Sequence, residues 1–163
     1  MTPLPEGLKL REARPSDHPV IIGVLKDWWG GRDLTAMLPR VFLEHFFNTS
    51  FVIERGHELV AFLIGFLSPG RPNEAYVHFM GVHPDCRKMG LGTHLYKTFF
   101  SLCRESGRDT VRACTSPVNK GSIEFHTRIG FRLDPGNARV DGYPVTLDYN
   151  LPGDSKVRFE RRL

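Results

Sequence analysis

The sequence predicts a mixed α/β domain in which antiparallel strands precede a strand–turn–helix unit. Three observations predict it. The first half carries short apolar or alternating segments joined by tight turns, a pattern typical of neighbouring strands. A glycine-containing turn at residues 87–92 then leads from a strand into a long helix, whose apolar residues Leu91, Leu95, Phe99 and Leu102 recur at helical spacing. A second helical segment stops at Gly130, as expected for a left-handed C-cap.

Each predicted element is bounded by a residue that starts or stops it. Asp17 or Ser16 caps the first helix, and Asp33 caps the second, which Pro39 is placed to bend or split. In chain order, the predicted elements are a strand at 8–13, helices at 16–28 and 33–45, strands at 51–54, 59–67 and 75–82, a helix from 91 that Gly107 ends, a strand at 110–114, a helix at 117–129, and strands at 131–133 and 143–151.

Length and composition are those of a globular protein with one domain. The chain has 163 residues, 40% of them hydrophobic and 25% charged. We assign residues 1–151 to this domain and expect residues 152–163 to form a basic, loosely held tail. The net charge of +4 suits an anionic small ligand but forms no basic stripe, so no nucleic-acid partner is expected.

The location is predicted from what the sequence lacks. The first ten residues have no apolar core typical of a signal peptide, and no apolar run approaches the roughly 20 residues that span a bilayer. The cysteines are odd in number and lack a C-x-x-C spacing, which favours reduced thiols: Cys86, Cys103 and Cys114. We therefore expect a cytoplasmic protein with no membrane partner and no metal.

The turn at residues 87–92 is the most informative segment for chemistry. A helix N-terminus presents unpaired N–H groups and the positive end of the helix dipole, so it binds phosphate groups. Gly90 and Gly92 allow the backbone to approach a diphosphate closely, and Arg87 and Lys88 add positive charge. An ordinary strand-to-helix turn is the alternative. The spacing fits neither a dinucleotide-binding fingerprint nor a Walker loop.

Two motifs in register resemble those of the GNAT superfamily of N-acetyltransferases. Val82-His83-Pro84 followed by Arg87-x-x-Gly90-x-Gly92 is similar to the acyl-CoA diphosphate loop of that family. The helix that runs from Asn119 to Gly130-Phe131 resembles the family's second motif. The resemblance covers residues 8–151. It implies a mostly antiparallel twisted sheet of six to seven strands, flanked by about four helices and splayed at the acyl-CoA site.

The resemblance implies the residues that hold acetyl-CoA, the expected cosubstrate. A backbone N–H near Gly81 or Val82 would bind the thioester oxygen and serve as an oxyanion hole. Asn119 would contact the pantetheine arm. The implied set comprises Gly81, Val82, Arg87, Lys88, Met89, Gly90, Leu91, Gly92, Thr93, Asn119 and Ser122. Asn119, Ser122 and His126 also share one helix stripe, which is either a polar contact surface or an exposed face.

Three residues are the candidates for proton transfer. His78 lies four residues before Val82, on the same predicted strand face, and is either the general base or a histidine packed on the sheet. Tyr76 occupies a second position where related enzymes carry a histidine. His126 stands where many family members place an acidic tyrosine, so its role as the acid is a hypothesis. Cys114 is a possible nucleophile, although an inert buried thiol is the favoured interpretation.

The acceptor site is predicted between the first two helices. Trp28 and Trp29 stand beside a glycine pair and could form an aromatic wall, with Trp28 in the core as the alternative. Tyr143 is a further candidate lining residue. The predicted function is transfer of an acetyl group from acetyl-CoA to a primary amine of a small molecule or peptide. The alternative is a catalytically weak module that binds acyl-CoA, and a homodimer is possible.

Overall fold

A computed structural model describes residues 3–163. Its strands are β1 (Leu8–Glu12), β2 (Phe51–Arg55), β3 (Glu58–Leu67), β4 (Glu74–Val82), β5 (Thr110–Thr115), β6 (Arg132–Leu133), β7 (Ala138–Val140), β8 (Tyr143–Val145) and β9 (Val157–Arg162). Its helices are α1 (His18–Val24), α2 (Val41–His45), α3 (Leu91–Glu105) and α4 (Lys120–Arg128), with short 3-10 turns between them. The predicted fold class is confirmed.

Seven strands form one sheet in the order β1-β2-β3-β4-β5-β9-β6, while β7 and β8 form a separate hairpin. Every neighbouring pair in the large sheet is antiparallel except β4 and β5. An apolar cluster lies on each face of the sheet. One contains Leu95 and Phe99 of α3, and the other contains Ile21 of α1 and Leu43 of α2. No helix in residues 3–163 is long and apolar enough to cross a bilayer.

The parallel pair β4–β5 separates along its length. Only Glu74 to Tyr76 of β4 pair with β5, although β4 continues to Val82 and β5 to Thr115. Because backbone N–H and C=O groups need partners, the unpaired edge of β4 after Tyr76 is open to a ligand. This separation is the splay expected between these strands, and it opens toward the end of β4 from which the chain leads to α3.

A β-bulge at His78 changes which side chains share a face of β4. Ile64 of β3 pairs with Phe79, while the next residue, Gly65, pairs with Val77, so His78 is the extra residue. Phe79 therefore joins the α1/α2 cluster, whereas Val77 and Val82 pack with the α3 cluster. The prediction that His78 and Val82 share a face is wrong, because simple alternation does not continue through a bulge.

The prediction of a loosely held C-terminal tail is also wrong. β9 lies between β5 and β6, and its residues Val157 and Phe159 are fully buried. The intervening charged residues lie on the opposite face, where Arg112 of β5 forms an ion pair with Glu160 at 2.6 Å. The high charge concealed a half-buried strand pattern. The strand predicted at 143–151 is shorter, since β8 ends at Val145.

Pro39 divides the second predicted helix. The chain forms a 3-10 turn at Thr35–Met37 and only five residues of α helix in α2. The Asp33 carboxylate accepts hydrogen bonds from the backbone N–H and the hydroxyl of Thr35 at 3.0 and 2.7 Å. Asp33 therefore binds the first residue of the 3-10 turn, although the N-cap position of that turn is Leu34 and not Asp33 as predicted. The short segments bring Met37 and Phe42 over β4.

Candidate active site

The loop before α3 leaves a run of backbone N–H groups free. Within residues 3–163, the amides of Lys88 to Thr93 have no hydrogen-bond partner, and the first helical bond is from His94 to the Gly90 carbonyl. Lys88 and Gly90 both adopt positive φ, 65° and 78°. Consecutive amides at a helix N-terminus favour an anion with several oxygens.

The two glycines of this loop have different roles. A Cβ on Gly90 would meet nothing within 4 Å, so its positive φ is the reason for glycine. A Cβ on Gly92 would lie 3.0 Å from the Phe125 ring, so Gly92 lets α3 and α4 pack closely. The Leu91 side chain is buried in the core. Leu91 is thus available to a ligand only through its backbone.

Arg87 is exposed, but its guanidinium is held by hydrogen bonds to the backbone. Its guanidinium donates a hydrogen bond to the Trp28 carbonyl at 2.6 Å and a longer one, 3.4 Å, to the Val82 carbonyl. This contact joins the loop to the 3-10 turn Asp27–Trp29. The sequence suggested mobile charge for a ligand, but the structure gives Arg87 a positioning contact. A cavity of about 430 Å³ lies beside the loop, lined in part by Met89, Thr93 and Lys97.

The hydrogen-bond ladder distinguishes between the two predicted oxyanion-hole residues. The His83 amide donates to the Val60 carbonyl of β3 at 2.8 Å. Because N–H groups alternate in direction along a strand, the Gly81 amide points toward β3 and the Val82 amide points toward the gap beside β5. Val82, rather than Gly81, therefore presents an N–H to a ligand held in the gap.

Position 81 needs a glycine because the Trp29 ring packs directly over it. A Cβ there would lie 2.5 Å from the Trp29 ring and 2.9 Å from Phe62. Trp29 packs edge-on against Phe79 at 5.1 Å between ring centroids. Trp28 is buried and stacks on Phe62 at 5.8 Å, so the alternative of a core residue describes it.

Tyr143 is not brought together with the two tryptophans. It lies on the β7–β8 hairpin and packs against the α3 cluster, which occupies the opposite face of the sheet from Trp28. The sequence could not place this hairpin, because the path of residues 134–156 depends on the position of β9.

His78 is half-buried on the α1/α2 face. Its ring stacks on Phe42 at 3.9 Å between centroids, with an angle of 6° between the planes. Its Nε2 forms a hydrogen bond to the Met37 carbonyl. Since a carbonyl only accepts, Nε2 carries the proton and Nδ1 keeps a lone pair. Burial lowers the pKa of His78 below its ordinary value of 6.5. A neutral imidazole in this tautomer can accept a proton at Nδ1.

Tyr76 is the last residue of β4 that pairs with β5. Its hydroxyl donates to the Cys114 sulfur at 3.3 Å, and burial raises the pKa of both groups. A raised pKa keeps the thiol protonated, which disfavours Cys114 as a nucleophile. The pair lies where the two strands begin to separate.

His126 is buried, and both of its ring nitrogens are engaged. Nδ1 donates to the Ser122 carbonyl at 2.7 Å, and Nε2 accepts from the Tyr96 hydroxyl at 2.7 Å. The ring stacks on Phe159 at 4.4 Å. Burial lowers the pKa of His126 to about 4. This neutral histidine has no free proton to give a thiolate, so the geometry does not favour its predicted acid role.

The buried His126 predicts a pH-dependent stability. The neutral form is favoured in the folded protein, with a pKa of about 4 against an ordinary 6.5. As the pH falls below 6.5 the unfolded chain takes up the proton first, and the effect is complete near pH 4. Urea denaturation should show a loss of about 2 kcal/mol from this group between pH 7 and pH 5. The double variant Tyr96→Phe/His126→Phe should lose that component, and an unchanged dependence would contradict the assignment.

Asn119 and Ser122 lie close to His126, and their hydrogen bonds stabilise α4. The Asn119 side chain caps α4 by accepting from the Ser122 amide at 3.3 Å. The Ser122 hydroxyl lies 3.2 Å from His126 Nδ1. The predicted stripe is therefore partly a polar contact surface inside the protein, and its role toward a ligand stays a prediction.

Comparison with known proteins assigns the fold and site to a family. The sequence profile of the Acetyltransferase (GNAT) family matches residues 16–131, which include the amide-rich loop and the helix with Asn119 and His126. The chain belongs to the GNAT family. It is therefore an acetyltransferase, and the predictions of family and reaction class are confirmed.

Relatives of this GNAT protein agree with that assignment. An L-2,4-diaminobutyric acid acetyltransferase from Virgibacillus pantothenticus is 27% identical over 113 residues, covering 69% of this chain and 70% of the relative. The structure of Ard1 from Thermoplasma volcanium superimposes with a TM-score of 0.77 at 22% identity, covering 96% and 98% of the two chains.

A second similar structure contains the expected type of ligand. N-acetylglutamate synthase from Neisseria gonorrhoeae, complexed with coenzyme A and N-acetyl-glutamate, gives a TM-score of 0.68 at 22% identity. The match covers 96% of this chain and 35% of that one. Because the matching family is one of acetyltransferases and the relative from Virgibacillus pantothenticus is named as one, the alternative of a catalytically weak binding module is not favoured.

Proposed function

We propose that this GNAT enzyme transfers the acetyl group of acetyl-CoA to a primary amine of a small molecule by direct attack. One observation carries the proposal: the free amides of Lys88 to Thr93 lie at the end of β4 where β4 and β5 separate. Amides in a row suit a diphosphate, and an unpaired strand edge suits the amide groups of a pantetheine arm. Coenzyme A contains both.

The donor would be held in three parts. The diphosphate accepts hydrogen bonds from the amides of Lys88 to Thr93, and the pantetheine arm follows the unpaired edge of β4. The cavity beside Met89, Thr93 and Lys97 has room for part of the nucleotide. The thioester oxygen accepts a hydrogen bond from the Val82 amide, which would stabilise the charge that develops during attack.

The reaction then needs one base and one proton source. The amine nitrogen attacks the thioester carbonyl carbon, the C–S bond breaks, and an amide bond forms. The nitrogen's proton passes to Nδ1 of His78, directly or through water. The departing thiolate takes a proton from water, because His126 has no free proton and the Tyr76 hydroxyl, whose pKa is raised by burial, already donates to Cys114. These assignments give His78 a catalytic role, while Tyr76 and His126 keep structural hydrogen bonds.

The proposal also covers the acceptor, the cellular compartment and the partners. One relative is named for 2,4-diaminobutyric acid and one similar structure contains N-acetyl-glutamate, and we propose a cytoplasmic small-molecule amine for this chain. Cys86, Cys103 and Cys114 are free thiols, as suits a reducing compartment. No nucleic acid, membrane or metal is needed for the proposed reaction, and a homodimer is compatible with it.

The test is to measure free CoA released from acetyl-CoA with a panel of primary amines. We expect turnover with at least one amine and tight binding of CoA by calorimetry. Mass spectrometry should show a gain of one acetyl group on the amine. If CoA binds but every amine in a broad panel is left unmodified, the proposed transfer is wrong while the donor site stands.

A further inference from the structure

Five aromatic side chains form a continuous row on the α1/α2 face of the sheet. They are contributed by α2, the residue after α2, β3 and β4, and are Phe42, Phe46, Phe66, Tyr76 and His78. All five are half-buried rather than enclosed. We call this set the aromatic row. Its half-buried state leaves ring surface open to a ligand.

The rings are in mutual contact from one end to the other. His78 stacks on Phe42 at 3.9 Å, and Phe42 lies 6.0 Å from Phe46. Phe46 lies 5.0 Å from Phe66, which stacks on Tyr76 at 5.7 Å. The row thus begins and ends on β4, at His78, to which we assign proton transfer, and at Tyr76. An acceptor that delivers its amine to His78 would lie against these rings.

Three cations on this face have partners. Arg158 of β9 lies 4.8 Å over the Tyr149 ring, with the Asp134 carboxylate 3.9 Å away. Arg112 of β5 bonds Glu74 and Glu160 at 3.0 and 2.6 Å. Lys156 is buried against the Asp154 carboxylate at 2.7 Å. Each of these cations therefore has a carboxylate partner. A carboxylate on the acceptor would have to displace one of these partners, whereas an apolar ring needs no such exchange.

We infer that the acceptor is a primary amine joined by a short chain to a flat apolar ring, which packs on the aromatic row. This inference rests on the proposed function and specifies its substrate class. Stacked and edge-to-face contacts between aromatic rings favour such a ligand over an aliphatic diamino acid. The substrate class therefore differs from that named for the relative from Virgibacillus pantothenticus.

The experiment compares 2-phenylethylamine, n-hexylamine and 2,4-diaminobutyrate as acceptors with saturating acetyl-CoA. We expect kcat/KM for phenylethylamine to exceed that for diaminobutyrate at least tenfold. Phe46→Leu and Phe66→Leu should each lower kcat/KM for phenylethylamine about five- to tenfold, with the KM for acetyl-CoA unchanged. Thermal unfolding of each variant checks that it is folded.

Phe47→Leu is the matched control, since Phe47 is adjacent in sequence and exposed but makes no ring contact with the row. It should leave all three acceptors unaffected. A preference for diaminobutyrate, or equal effects of Phe46→Leu and Phe47→Leu, would overturn the inference while leaving acetyl transfer intact. Absence of turnover with every amine would overturn the proposed function. In that case, calorimetry with phenylethylamine and the CoA-loaded enzyme tests the aromatic row by itself: binding would support it as a ligand site, and no binding would overturn it.

Discussion

Replacing Gly90 with valine is expected to weaken CoA binding about 100-fold or more. Gly90 has φ 78°, a conformation that costs a β-branched residue about 1–2 kcal/mol. The loop would relax toward negative φ, and several amides between Lys88 and Thr93 would turn away from the diphosphate. Loss of two charge-assisted hydrogen bonds removes about 3 kcal/mol or more of binding energy. Titration calorimetry with CoA measures the change.

Gly107→Val is the matched control for this experiment. Gly107 follows the other end of α3, has φ 72°, and has open space around its missing Cβ. Both variants should therefore lose similar stability, while only Gly90→Val loses affinity for CoA. Equal affinities for the two variants would show that the loop conformation does not matter for binding.

Replacing His78 with glutamine is expected to lower kcat about 100-fold and leave the KM for acetyl-CoA unchanged. Glutamine can still donate to the Met37 carbonyl, but it cannot accept a proton from the amine. Because burial lowers the pKa of His78, the base stays neutral at pH 7 and is protonated only below pH 6.5. The kcat of the wild-type enzyme should therefore rise with pH through a midpoint below 6.5.

The pH profile separates a base from a histidine that only packs. His78→Gln should lose the acidic limb of the kcat profile, whereas His57→Gln, at an exposed hairpin position, should change neither kcat nor its pH dependence. If His78→Gln kept the acidic limb with its amplitude reduced, His78 would act only through packing on Phe42.

Local patterns predicted much of this fold, and the misses have physical causes. The glycine-containing turn, the amphipathic α3 and the stop at Gly130, which has φ 95°, are encoded by adjacent residues, so the sequence alone predicts them. β9 was missed because Val157 and Phe159 alternate with charges that find partners only across strands. The bulge at His78 depends on the register between β3 and β4, which no local pattern specifies.

The candidate site likewise has features that a local motif predicts and features that depend on tertiary packing. The free amides follow from a helix start with Gly90, which a local motif predicts. The partners of His126 and Arg87 could not be predicted, because Tyr96 and the Trp28 carbonyl are brought to them by tertiary packing. A histidine at a position known for acid chemistry is therefore buried, neutral and fully hydrogen-bonded here.

We expect the main-chain amides of residues 88–93 to bind the diphosphate of coenzyme A. Proton–nitrogen correlation spectra of the labelled protein test it directly, with CoA and with pantetheine, which lacks the diphosphate. We predict large downfield shifts of the amide protons of residues 88–93 with CoA, and only small changes there with pantetheine. If CoA shifts the signals of other residues but not the amide signals of residues 88–93, the diphosphate is bound elsewhere and the assignment of this loop is wrong.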